Sequence, residues 1–529
     1  MASKGWWASS WGGLRWFNAS LLGTAVIVLV PVLIVLGAWL LPKDTDVWVH
    51  LQEELLLRYC LQTLGLLIGV VVSTAVVGLG LAWIIATMEF PGRRFLKTGF
   101  LLPFAVPAYV MGFVYVGLFE AHMPAWLDFR SYPGVVWVLT VTLYPYMYFL
   151  CLSAFSSQGQ RLMDVGQSMG LRHRQILFRI AIPFARPWIL GAMAMIGMET
   201  LADFGTVSVF VYDTLATGIY KAWYGLFSPT TAAQLAGILV LFAGVFLYFT
   251  KRGQDQEKFQ ASDSPPLRRI ILKGTTKYIV TGGVWFFFAL AFIFPVGQLL
   301  IWSLEVIGSE SLGSVLSALT NSILIGLLAS SIITALAFCI SIAHRFSNSR
   351  LYFTATLCSG LGYALPGSVL AIGVYLPLIW FDQKIEPLWV AIGFDSGNLF
   401  TGGLLALLIG LMIRFLTVGI SSIQNQMARH SPRLDEAAAN SGAGLRRSLV
   451  SLHIPMLRSG FFIGFVLAFA DCLKEMPLTL MTRPVGWDTL SVKIFELTSE
   501  GEWERAAVPS LALILCGFAV TEIMRRQWR

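Results

Sequence analysis

The sequence predicts an all-α polytopic membrane protein of about twelve transmembrane helices, arranged as two parallel six-helix repeats. Three observations carry this expectation. Only 12% of the 529 residues are charged while 56% are hydrophobic, against roughly 25% charged in a soluble domain. Apolar runs of 18 residues or more recur along the chain, each long enough to cross a bilayer as a helix, whereas barrel strands alternate in short segments. Finally, the second half repeats stretches of the first, with a polar loop and the acidic span after it recurring at an offset of 272 residues.

The spans fall near 18–41, 59–88, 99–119, 133–155, 187–211, 232–250, 278–304, 317–343, 353–380, 400–424, 459–480 and 508–524. Lys4 and Arg15 precede a first apolar stretch longer than a signal-peptide core, with no small-residue cleavage site, so a retained span is expected. Trp6, Trp7, Trp11 and Trp16 read as an interfacial belt. With both termini cytoplasmic, the inside segments hold 27 Lys and Arg and the outside ones 8. That asymmetry is what the positive-inside rule demands. The charged stretch KRGQDQEKFQASDSPPLRRI lies in a cytoplasmic linker, 251–277, that joins a first repeat (1–250) to a second (278–529). Six isolated cysteines and six scattered histidines form no metal or nucleophile constellation, which disfavours a membrane enzyme.

The repeat is clearest in two polar loops. LDEAAANSGAGLRRSLVSLHIP (Leu434–Pro455) has a partner in LMDVGQSMGLRHRQILFRIAIPFARP. The shared offset aligns Asp164 with Glu436, Gly166 with Ala438, Gly170 with Gly442 and Pro183 with Pro455. Each reads as a short helix–turn–helix. Ala437, Ala438 and Ala439 favour helix, Gly442 suits a left-handed helix end, and Pro455 is expected to halt the second helix. An amphipathic helix on anionic lipid would explain Arg446 and Arg447. It would not explain two copies with glycine and proline 13 residues apart in both, so protein docking is the stronger reading.

The loop EAAANSG…IP resembles the EAA loop, E-A-A-x(3)-G-x(9)-I-x-L-P, of permease subunits in type I ABC importers. The second copy matches at Glu436, Ala437, Ala438, Gly442 and Pro455, with Leu452 and Ile454 exchanging the motif's last two apolar residues. The first is degenerate: Asp164, Val165 and Gly166 stand for E-A-A, while Gly170, Ile180, Ile182 and Pro183 keep the pattern. The stretches ETLADFGTV, TGIYKAWYG, LKEMPLTLMTRPVGWDTL and EWERAAVPSLALI are similar to the ferric-iron permeases of this family, and the resemblance spans essentially the whole chain. It implies the type I ABC importer fold in an inner (plasma) membrane, with each loop acting as a coupling helix for one of two ABC ATPase subunits, a homodimer. It also implies a periplasmic substrate-binding protein. ATP and Mg would be bound by the partner ATPase, and this chain would hold no cofactor. No G-x(4)-G-K-[ST] occurs, so the chain has no P-loop of its own. Lipid is the remaining expected partner; nucleic acid is not.

The costly residues sit in the fifth span of each half. Glu199 and Asp203 are four apart, as are Asp471 and Glu475, which would place each pair on one helical face with Lys474 beside the second. Carboxylates from two symmetric helices can offer hard oxygen ligands to a hard cation, so all five residues are candidates for the pathway and the four acids for transient metal contact. The alternative is that they pair with Lys474 and Arg414 across helices. Val106–Pro107 and Leu365–Pro366 break the third span of each half; such breaks are tolerated where backbone lines a cavity or packs on protein, and a simple kink is the stronger reading. Tyr109, Tyr144, Tyr146 and Tyr148 are of a type that packs or sits at the membrane interface, and none is assigned a function. The function expected is ATP-driven import of ferric iron by alternating access. The alternatives are an ion-coupled secondary transporter, or an ABC permease for thiamine, phosphonate or polyamine.

Overall fold

Among the described residues ten helices are long and apolar enough to cross a membrane, or up to twelve when each of two bent pairs counts as one span. The computed structural model describes residues 14–42, 45–122, 124, 128–254, 269–306, 312–346, 350–391 and 400–527. Trp6, Trp7, Trp11 and residues 255–268 of the linker lie outside them. The first half comprises α1 (Leu14–Gly37), α2 (Leu56–Thr87), α3 (Ala108–His122), α4 (Tyr132–Ser168), α5 (Arg186–Ala202) and α6 (Pro229–Gln254). The second comprises α7 (Gly274–Val306), α8 (Leu312–Phe346), α9 (Gly367–Ala391), α10 (Leu405–Ala428), α11 (Leu445–Lys474) and α12 (Trp503–Gln527).

Close helix approach follows from small residues, because lipid offers no hydrophobic drive between helices. In the α2–α4 contact a Cβ on Gly78 would stand 2.6 Å from that of Met147, so only glycine permits the approach. The first span of each half packs on the other half. α1 lies against α8 and α9, with Phe17 edge-on to Phe338 at 6.4 Å. α7 lies against the first half, where Trp285 stacks on Phe95 at 5.7 Å and Tyr115 donates to the Leu290 carbonyl at 2.7 Å. A two-residue parallel pairing of β1 (Met88–Glu89) with β2 (Ile270–Ile271) ties the linker's end to the first half.

The repeat extends to single hydrogen bonds. Leu215 N donates to Thr63 Oγ1 at 2.9 Å, and its counterpart Leu490 N donates to Ser322 Oγ at 2.8 Å. Each bond fixes the start of a short helix, at Leu215 and at Leu490, capped by Thr214 and Thr489. Left-handed residues flank both helices: Gly486 (φ 82) and Gly501 (φ 79) in the second half, but Val211 (φ 53) and Phe227 (φ 49) in the first. A residue with a Cβ loses roughly 1–2 kcal/mol in that conformation.

Three expectations are corrected. Val106–Pro107 does not merely kink the third span: the helix from Arg93 to Ala105 meets α3 at 92°. Proline bars helical backbone at the residue before it, and Val106 is extended at φ −100, ψ 119. Pro455 does not halt its helix. It sits at the first turn after a wide turn over Leu449–His453, where its missing N–H breaks no bond, and α11 runs on to Lys474. In the first half the matching helix does bend, by 73° at Ala185. The fifth spans end earlier than 211 and 480. Both helices stop at a carboxylate in the same extended conformation, Asp203 (φ −68, ψ 120) and Glu475 (φ −67, ψ 120).

Candidate functional site

Those two helix ends meet at a cavity of about 640 Å³ between the halves. The first half contributes Phe104, Tyr109, Tyr146, Glu199 and Asp203; the second contributes Tyr363, Arg414, Asp471, Lys474 and Glu475. Tyr109 and Tyr146, assigned no function from sequence, are therefore cavity-lining, while Tyr144 and Tyr148 are fully buried. The lining continues through Phe149, Leu467, Gly517 and Val520, toward the face that carries the two loops. At the opposite face, Phe204 packs on Phe495 at 5.5 Å, Tyr220 on Phe495 at 6.4 Å, and Tyr224 Oη donates to the Leu480 carbonyl at 3.3 Å.

The four carboxylates have two different employments. Asp203 lies beyond the end of α5, so it does not share a helical face with Glu199. It caps the next helix, accepting from Thr206 Oγ1 at 2.8 Å and Val207 N at 3.1 Å. Glu475 does the same in the second half, accepting from Leu478 N at 2.9 Å, and its other oxygen stands 3.2 Å from Arg414 Nε. This ion pair is buried, with side-chain exposures of 12% and 4%, so removing either partner would strand a charge at about 3–5 kcal/mol. Lys474 donates from Nζ to the Phe104 carbonyl at 2.6 Å. Glu199 and Asp471, equivalent by the repeat, remain to line the cavity from opposite halves. The four acids thus do not gather around one ion, and among the described residues no group of three or more His, Cys, Asp or Glu is placed to hold a metal. Two of the four are consumed in capping.

The loops turn on left-handed glycines. Gly170 (φ 71) and Gly442 (φ 76) each end a helix, with Gly170 N bonded to Gln167 O and Gly442 N to Ala439 O. The following amides close the same motif, Leu171 N on Gly166 O and Ala443 N on Ala438 O. Gly166 is needed for closeness, since a Cβ there would stand 2.5 Å from Ile176. The loops differ in build. In the first, α4 itself extends through Asp164 and Gly166 to Ser168. In the second, a separate helix, Arg433–Asn440, carries Glu436, Ala437 and Ala438. Glu436, Ala437, Gly442, Ile454 and Pro455 are exposed, as are Asp164, Gly170 and Pro183; Ile180, Ile182 and Leu452 are half-buried.

Sequence reasoning missed the anchor beside Glu436. Asp435 is buried and accepts from Arg345 Nε at 2.7 Å, while Arg345 Nη1 bonds the Met427 carbonyl at 3.1 Å. His453 Nε2 stands 3.2 Å from the other Asp435 oxygen. Burial pushes the Asp435 carboxyl up, but the contacts from His453 and Arg345 more than offset this and leave it below its ordinary value. The first half puts Met163 where Asp435 sits; its loop is held by a 3.2 Å hydrogen bond between Thr87 and His173. Only the fold brings residue 345 to 435, so no sequence signal marks the pair.

Residues 75–251 match the family described as binding-protein-dependent transport system inner membrane component. The chain is 23% identical over 488 residues to the Fe(3+)-transport system permease protein FbpB 2 of Haemophilus influenzae, covering 89% of this chain and 91% of that one. It is 28% identical over 210 residues to the sulfate transport system permease protein CysW of Escherichia coli, covering 38% of this chain and 72% of that one. A third match is the putative 2-aminoethylphosphonate permease PhnV of Salmonella typhimurium, 28% identical over 130 residues, 24% of this chain and 48% of that one.

Proposed function

We propose that this chain, a permease subunit of an ABC importer, conducts ferric iron inward through the cavity between its halves. The observation that supports this most is the placement of Glu199 and Asp471, symmetry-related carboxylates not committed to capping, on a path lined from both halves. Similarity to an Fe(3+) permease along 89% of the chain supports the same cargo. Two carboxylates make a weak site for a hard cation, which suits transit, because tight coordination would slow release.

The face with the loops is cytoplasmic in this reading, consistent with its excess of Lys and Arg. The cavity is then open inward and closed outward by Phe204, Tyr220 and Phe495. A dimer of ATPases, carrying ATP and Mg, docks on the loops through Glu436 to Gly442 and Asp164 to Gly170. Its closure reaches the gate by different routes. The second loop moves α11 as one rod ending at Lys474, whereas the first acts through the bend at Ala185. Separation of the halves would part the Phe204–Phe495 contact and admit cargo from the binding protein.

A second cargo, an oxyanion, draws support from the sulfate permease likeness and from Arg414 and Lys474 in the lining. Arg414 Nε is paired with Glu475 and Lys474 with the Phe104 carbonyl, whereas Glu199 and Asp471 line the cavity without capping a helix, which favours iron. Reconstitution with the ATPase and with ferric- or sulfate-loaded binding proteins tests the choice. Ferric-stimulated hydrolysis with uptake of radiolabelled iron is expected; stimulation by the sulfate-loaded protein alone would overturn it.

A further inference from the structure

We infer that Arg483 is the positioning residue of the outer gate, holding the second half's side of the closure in register for the tyrosines of the first. The inference rests on the importer reading above, which makes the face opposite the loops the outer one.

The two halves build that face from equivalent short helices but balance its charges differently. In the first half Asp213 pairs directly with Lys221, eight residues on, at 2.6 Å. Aligned on the shared Asp-Thr-Leu, the second half has Asp488 and Glu496, also eight apart and both acidic. From the capping carboxylate to this aspartate the second half runs three residues longer, thirteen positions from Glu475 against ten from Asp203. The longer turn carries Arg483. Its Nε stands 2.6 Å from Asp488 Oδ1 and its Nη2 stands 2.6 Å from Glu496 Oε1. Two carboxylates brought this close repel unless a cation lies between them, and the planar guanidinium fork can serve both at once.

Balancing the acids leaves Nη1, and this nitrogen reaches the gate. It donates to the Leu480 carbonyl at 3.2 Å, the same oxygen that accepts from Tyr224 of the first half at 3.3 Å. Glu496 adjoins Phe495, on which Phe204 and Tyr220 pack. One side chain thus ties the helix Pro477–Thr482 to the turn after it and to the helix Leu490–Ser499. Both contacts of the closure fall on residues that Arg483 holds or on their neighbours. The turn has a second support, Asn321, which donates to the Gly486 and Asp488 carbonyls at 3.3 and 3.1 Å. The arginine side chain is 17% exposed, against 46% and 39% for its two carboxylates, so the guanidinium sits beneath them, on the Leu480 side.

Two variants separate charge balance from gate positioning. Arg483→Met removes the cation, and adding Glu496→Lys rebuilds the direct Asp–Lys pair of the first half without a donor to Leu480. The reporter is Ala202→Cys, at a position lining the cavity, in the permease–ATPase complex in proteoliposomes. Its modification by a membrane-impermeant maleimide is timed from each face, against the complex lacking the reporter. Arg483→Met should lower the unfolding temperature, and the double variant should regain most of the loss. Modification from the face opposite the loops should nevertheless be at least roughly tenfold faster than in the parent for both, because neither restores the charged donor. A double variant modified at the parent's rate would show that charge balance alone sets the gate and would overturn the inference, as would a parent rate for Arg483→Met. A parent modified as fast from that face as from the loop face would instead strike the outward closure of the importer reading, and the inference with it.

Discussion

Lys474 Nζ of the second half donates to the Phe104 carbonyl oxygen of the first at 2.6 Å, bridging the two halves at the cavity wall. Phe104 lies just before the Val106–Pro107 break, so the bond pins the turned segment of one half to the helix end of the other. Replacing Lys474 by Met keeps the length and removes the donor. A charge-assisted hydrogen bond of this kind contributes about 1.5–3 kcal/mol. Thermal unfolding in detergent should move down accordingly, and uptake should fall.

Arg414→Gln leaves Glu475 charged in a buried position and should destabilise by about 3–5 kcal/mol. Replacing both, Arg414→Leu with Glu475→Gln, removes the stranded charge and keeps an acceptor for the Leu478 amide. The double variant should recover a large part of the unfolding temperature lost in the single one. A double variant no more stable than Arg414→Gln would show that the pair is not the source of the loss.

Asp435 holds the second loop to Arg345 with its carboxyl below the ordinary value. Its contribution is therefore complete above the unfolded carboxyl value of about 3.9 and is lost as pH falls through the lower folded value. ATPase assembly measured by co-purification should hold from neutral pH to about 4 and fail below it. Asp435→Asn should assemble less well at neutral pH and show a flatter decline.

Gly442 and Gly170 have open space where a Cβ would go, so substitution there acts on backbone and loop surface rather than on the core. Gly442→Asp should leave the protein in the membrane but uncouple hydrolysis from uptake. Because α11 is continuous from the second loop to Lys474 while the first half breaks and bends at Ala185, Gly442→Asp should impair uptake more than Gly170→Asp. Uptake per ATP hydrolysed, measured for both, checks the order.

Much of this architecture can be read along the chain, because hydrophobic length and the offset of 272 residues are local patterns. The two loops, with Gly170 and Gly442 left-handed at both helix ends, are legible for the same reason. The employment of the carboxylates is not. Glu199 and Asp203 are four apart, yet the helix ends between them, because Asp203 can cap the next helix through Thr206 and Val207. Glu475 to Arg414 and Asp435 to Arg345 are contacts 61 and 90 residues apart in sequence, and no periodicity encodes them. Pro455 misled for a simpler reason: proline stops a helix from within but starts one readily.

The most direct test of the central claim is uptake by the Glu199→Gln, Asp471→Asn double variant. Proteoliposomes containing the variant, its ATPase and ferric-loaded binding protein are assayed for radiolabelled iron entry alongside ATP hydrolysis. Neither residue caps a helix, so the complex should assemble and hydrolyse ATP while iron entry is lost. Iron entry at the wild-type rate would contradict a pathway between these two carboxylates.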